Sequence, residues 1–193
     1  MGVWVVVVFG LLGGCHAGEN GRVGGGPLSC KGVFSIPPQS IGVFAHVHKS
    51  FTFSDIVLHN CGSEAVILEG IALSGRDAHL RLVGIEVAQI SGGVIVRSGD
   101  KTFPPDFGYP TQPLRGFKMP ATAPGSAPMG VQLILGLEET RLGKHSFGSV
   151  DVLYHTDEQR YEYTVPYSLV ACSPFETYAR HPESCSVTPL APS

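Results

Sequence analysis

The sequence predicts an all-β chain, an antiparallel sandwich of about seven or eight strands. Three observations predict it. Short runs of β-branched and aromatic residues recur at turn-bounded intervals. Gly and Pro are abundant, 25 and 15 in 193 residues, as in a fold with many connections. No segment carries a capped helical period; Glu138–Leu142 would supply one turn at most. Hydrophobic residues make up 43% of the chain and charged residues 15%. This excludes a coiled coil and a disordered acidic or basic chain. The net charge of −3 leaves no electrostatic footprint for nucleic acid. The length suits one ordinary domain.

Strand signals begin near residue 40. Segment 42–48 alternates apolar with other residues, and 51–58 is rich in β formers. Asn60-Cys61-Gly62-Ser63-Glu64 is turn chemistry, followed by the strand 65–73 and a stop at Ser74-Gly75. The run from His79 to Ile90 alternates, with a slip of phase near Gly84 that predicts a bulge. Val94-Ile95-Val96 is short. Segment 103–128 is a loop with seven prolines. Strands resume at 131–137, 148–154 and 161–170, the last two joined by the polar turn 156–159.

The longest apolar run, Val3 to Gly14, precedes all of this. As a helix it would rise about 18 Å, against a hydrocarbon core of about 30 Å. It suits the hydrophobic region of a secretory signal better than a membrane span. No Lys or Arg precedes it, a departure from the usual signal, and Val6 stands where a myristoylation motif needs Ser or Thr. The run ends in Leu12-Gly13-Gly14-Cys15, which resembles the lipobox of bacterial lipoproteins. The resemblance implies cleavage before Cys15, diacylglyceryl and palmitate on that residue, and attachment to the outer face of the cell membrane. The Gly-rich segment 15–39 then acts as a tether. The expected organisation is a signal at 1–14, the tether at 15–39, the sandwich at 40–172 and a tail at 173–193.

Setting Cys15 aside leaves Cys30, Cys61, Cys172 and Cys185. An even number in an exported domain predicts two disulfides. The first choice is Cys61–Cys172 with Cys30–Cys185; the second is Cys172–Cys185 with Cys30–Cys61.

The hairpin from Val57 to Leu68, built around Asn60-Cys61-Gly62, and the late stretch from Gly143 to Cys172 resemble bacterial immunoglobulin-like domains. Small exported lipoproteins of high-GC Gram-positive bacteria look similar. That resemblance implies an immunoglobulin-like sandwich and a non-catalytic module of the cell envelope, with a membrane anchor, an envelope protein partner and no nucleic acid.

Motifs for chemistry are sparse. There is no G-x-S-x-G, no C-x-x-C and no phosphate loop, so neither an enzyme nor a cofactor is expected. Two surfaces remain. The loop 103–128 carries Phe107, Tyr109, Phe117 and Met119, and aromatic residues on a long loop favour partner contact. His46 and His48 are two apart. On one strand face they would chelate copper or zinc, with His59, His155, Met119 or Met129 as further donors.

Overall fold

The computed structural model describes residues 33–34, 36, 39–90, 102–105, 110–123, 126, 129–157 and 159–185. Among them are the strands β1 (Gln39–Phe44), β2 (Ser50–His59), β3 (Val66–Ser74), β4 (Leu80–Ile90), β5 (Gln112–Pro113), β6 (Lys118–Met119), β7 (Gly130–Glu139), β8 (Gly143–Phe147), β9 (Ser149–His155), β10 (Arg160–Val165) and β11 (Tyr167–Ser173). One short helix, α1 (Phe175–Arg180), and a 3-10 turn at Pro182–Cys185 follow.

One sheet has the order β2-β7-β4-β5. The other strands form the orders β10-β9-β3-β6 and β1-β11-β8. These two belong to one layer, because a single hairpin runs through both. Its first arm is β8 and β9, parted only by Gly148; its second is β10 and β11, parted only by Pro166. Proline lacks the N–H that a strand interior donates, so the second arm breaks there. The Pro166 carbonyl instead accepts from the Gln39 amide at 3.0 Å, where β1 joins β11 in parallel.

With each broken arm counted once, and the two-residue β5 and β6 left out, seven strands remain. The second, fifth and fourth form one sheet; the first, seventh, sixth and third form the other. That is the immunoglobulin arrangement, with the first strand moved beside the seventh. The chain is an immunoglobulin-like β-sandwich.

Period-2 alternation places the core. β7 sends Val131, Leu133, Leu135 and Leu137 inward; β9 sends Val150, Val152 and Tyr154. Phe53 packs edge-on against Phe147 and Tyr167 across the layers. The core reaches beyond the expected limits of 40–172. Phe34 is fully buried against Tyr154 and Tyr163, so the segment expected to be wholly tether contributes a core residue. The chain after 172 is no loose tail as far as Cys185. Phe175 meets the rings of Phe44 and His46, and Cys185 is buried. A Cβ at Gly42 would collide with the Cys185 carbonyl, so only glycine lets the 3-10 turn lie against β1.

A disulfide joins Cys172 to Cys185. This overturns Cys61–Cys172, because β11 carries Cys172 toward the docked C-terminal segment and its register neighbour is Phe44 of β1. Cys61 is itself disulfide-bonded, and its partner lies outside the described residues, as do Cys15 and Cys30.

Three bulges bend the sheets. β2 slips between Phe53 and Ile56 against β7. β4 slips between Leu82 and Gly84, at the place where the apolar phase breaks. β3 slips between Leu68 and Gly70. Gly84 and Gly136 are register partners, and the Phe103 ring lies over both. The missing side chains make the slot that pins the start of the proline-rich connection. The Phe103 amide also donates to Ser50 Oγ at 3.2 Å.

Candidate functional site

β3 and β4 occupy the same side of the sandwich, one in each layer, joined by a tight connection. Gly75 takes a positive φ of 64° there. Asp77 Oδ1 accepts from the His79 amide at 2.7 Å, and the Asp77 carbonyl accepts from the Leu80 amide. This Asx turn starts β4.

The bulge in β3 leaves Glu69 without a register partner; the bulge in β4 leaves Val83 without one. Both extra residues line the same groove, of about 370 Å³. A bulge re-aims the side chain it carries, which is why bulges gather beside binding sites. Leu82 and Ile85 also line the groove and pack against the core beneath. Pro113, Leu114 and Arg115 form the remaining wall. Val83 is 39% exposed, an apolar side chain turned to solvent at the rim.

The rim carries charge of both signs. Glu69 Oε1 lies 3.1 Å from His155 Nδ1 and 3.3 Å from Arg160 Nε, so its carboxylate is already matched. Arg115 is exposed, with no ion-pair partner among the described residues. The groove therefore offers an apolar floor, one satisfied acid and one cation, Arg115, without an ion-pair partner among the described residues. Among the described residues β4 has a second strand beside it only at Glu86 and Val87, through β5. Toward the groove, Leu80–Ile85 has no neighbour on that side among the described residues.

The expected contact residues divide. Phe107 and Tyr109 lie outside the described residues. Phe117 and Met119 belong to the core, where they are 8% and 0% exposed, and that corrects their expected role in contact. The cause is β6. It pairs Met119 with Val66 of β3 and turns the side chain inward, while the Phe117 carbonyl accepts from the Leu68 amide. The same connection does reach the groove, through Pro113–Arg115.

His46 and His48 do not share a strand face. β1 ends at Phe44, and both residues sit in the turn before β2. His48 has a positive φ of 59°, and its amide donates to the Glu139 carbonyl. The His46 ring stacks on Phe175 at 5.0 Å. Among the described residues no group of three or more His, Cys, Asp or Glu is placed to hold a metal.

A Ser, a His and an Asp do meet at Ser173, His145 and Asp77. His145 Nδ1 is 3.3 Å from Asp77 Oδ1. Its Nε2 faces the Arg141 carbonyl at 2.9 Å rather than a hydroxyl. Ser173 Oγ donates to that same carbonyl and accepts from the Gly143 amide. A nucleophile needs its hydroxyl on the base, and here both groups are spent on one backbone oxygen.

No protein-family model matches the chain, and no curated protein matches it. Among solved structures it is similar to PapD-like domain 7 of human CEP192, at 13% identity and a TM-score of 0.38, covering 82% of this chain and 97% of that one. It is also similar to the CooA pilin subunit of enterotoxigenic Escherichia coli, at 14% identity and a TM-score of 0.31, covering 72% and 94%. Likenesses this weak carry no argument about function.

Proposed function

We propose that this protein is a non-catalytic binding module of the cell envelope, exported and held at the membrane by a lipid on Cys15. Its contact surface is the groove between Glu69 and Val83. The observation that carries this reading is the pair of bulges opening onto one apolar floor. Bulges interrupt ladder pairing, and two of them facing one groove suit a recognition surface. The partner is a protein segment in extended form, with an apolar side chain for the floor and an acidic one for Arg115. Disulfide bonding at Cys61, Cys172 and Cys185 supports an oxidising compartment. The envelope location rests on the leader and on Cys15, which lie outside the described residues.

The test is selection from a displayed library of short linear peptides. The expected winners combine apolar and acidic residues. They bind the wild type and an Arg180→Glu control on α1 alike, and lose about tenfold or more in affinity to Val83→Arg and to Arg115→Glu. Peptides indifferent to both groove substitutions, or no enrichment, would overturn the reading.

A further inference from the structure

The inward stripe of β7 runs Val131, Leu133, Leu135, Leu137 and ends on Glu139. That of β11 runs Tyr167, Leu169, Ala171 and ends on Ser173. The inward positions of β8 are His145 and Phe147. Three strands thus close one end of an apolar core with polar residues. Glu139 is 0% exposed, and neither carboxylate oxygen has a hydrogen-bond partner. A buried ionised carboxylate in that position is very costly, whereas the neutral acid is not.

Four segments meet around it. The His48 amide of the β1–β2 turn donates to the Glu139 carbonyl at 2.8 Å, and the Thr140 amide donates to the His79 carbonyl at 2.8 Å. His145 bridges Asp77 of the β3–β4 connection and Arg141 of the β7–β8 turn. Ser173 ties the end of β11 to Arg141 and Gly143. Among the described residues the titratable groups around the site are His145, Asp77 paired with it, and His79, whose ring meets that of His145 at 5.4 Å; His48 contributes its backbone amide.

We propose that Glu139 is a proton-operated latch. As the neutral acid it lets these four segments close over the end of the core, and its ionisation draws in water and loosens them. Burial pushes the Glu139 carboxyl above its ordinary range; the nearby Ser173 hydroxyl, whose proton goes to the Arg141 carbonyl, and the His145 ring oppose this only in part. Asp77 is held below the usual range, chiefly by the His79 amide, so it stays ionised across the window that matters.

The sign follows. A carboxyl raised in the folded state binds more protons folded than unfolded, so stability falls as pH rises above the unfolded value of 4.5. The experiment compares the full chain with Glu139→Gln by thermal unfolding from pH 4.5 to 8, with Glu139→Met as a second variant. The wild-type midpoint should fall by about 3 °C or more across this range, and amides at His79, Thr140 and Gly143 should lose protection. Both variants should lose the part of this fall that Glu139 causes, so that the wild type falls more steeply than either, although each keeps the pair of His145 and Asp77. A carboxylic acid C=O infrared band from labelled Glu, missing in Glu139→Gln, should persist in the folded wild type above the pH at which it vanishes in the unfolded chain. Parallel profiles in wild type and variants, or no such band, would overturn the latch.

Discussion

Asn60→Asp should destabilise this protein by about 3–5 kcal/mol at neutral pH. Asn60 is 2% exposed. Its Nδ2 donates to the carbonyls of Glu64 at 2.8 Å, Pro120 at 3.0 Å and Met119 at 3.3 Å. Its Oδ1 accepts from the Gly62 amide at 2.9 Å. One side chain thereby closes the β2–β3 turn and ties it to β6. A carboxylate keeps the bond from Gly62 and turns an acceptor toward three acceptors. The three carbonyls lose their donor, and a charge is left in a buried site. Protonation restores a donor, so the deficit should shrink as pH falls toward 4. The check is chemical unfolding of both proteins at two pH values. Equal midpoints would mean that water replaces the amide without cost.

The second large effect is at the C-terminal disulfide. α1 has six residues, none of them buried, and no side-chain cap. A helix this short is not stable by propensity, although Glu176 and Arg180 sit at the ends that suit its dipole. What holds it is the ring contact of Phe175 with Phe44 and His46, and the Cys172–Cys185 bond spanning 13 residues. The double change Cys172→Ala and Cys185→Ala should cost about 3 kcal/mol. It should also free the segment after Pro174, read as lost amide protection at Thr177 and Tyr178. Unchanged protection there would show that the ring contacts suffice.

Much of the fold is legible because a half-buried strand writes its register in period 2. β2, β7 and β9 show it. The slip at Gly84 is visible because Leu80 and Leu82 give way to Ile85 and Val87. The same signal marks Glu69, where Val66 and Leu68 give way to Ile71 and Leu73. Both groove bulges were therefore written in the sequence, but that they face each other was not. That depends on the β3–β4 connection bringing one strand of each layer together. Phe117 and Met119 misled because a two-residue strand is too short to show which way it faces. Glu139, His145 and Ser173 were illegible for a different reason. Each continues an apolar stripe with a polar residue, which without register looks like the end of the strand. α1 has too few residues to show a period, and Phe34 is a single core residue in a Gly-rich stretch.

The proposed lipid anchor on Cys15 is tested most directly by mass spectrometry of non-reduced material extracted from membranes. It predicts a chain beginning at a diacylated Cys15, with Cys172–Cys185 and Cys30–Cys61 both intact. A chain that keeps Met1 and carries an unmodified thiol at position 15 would contradict it.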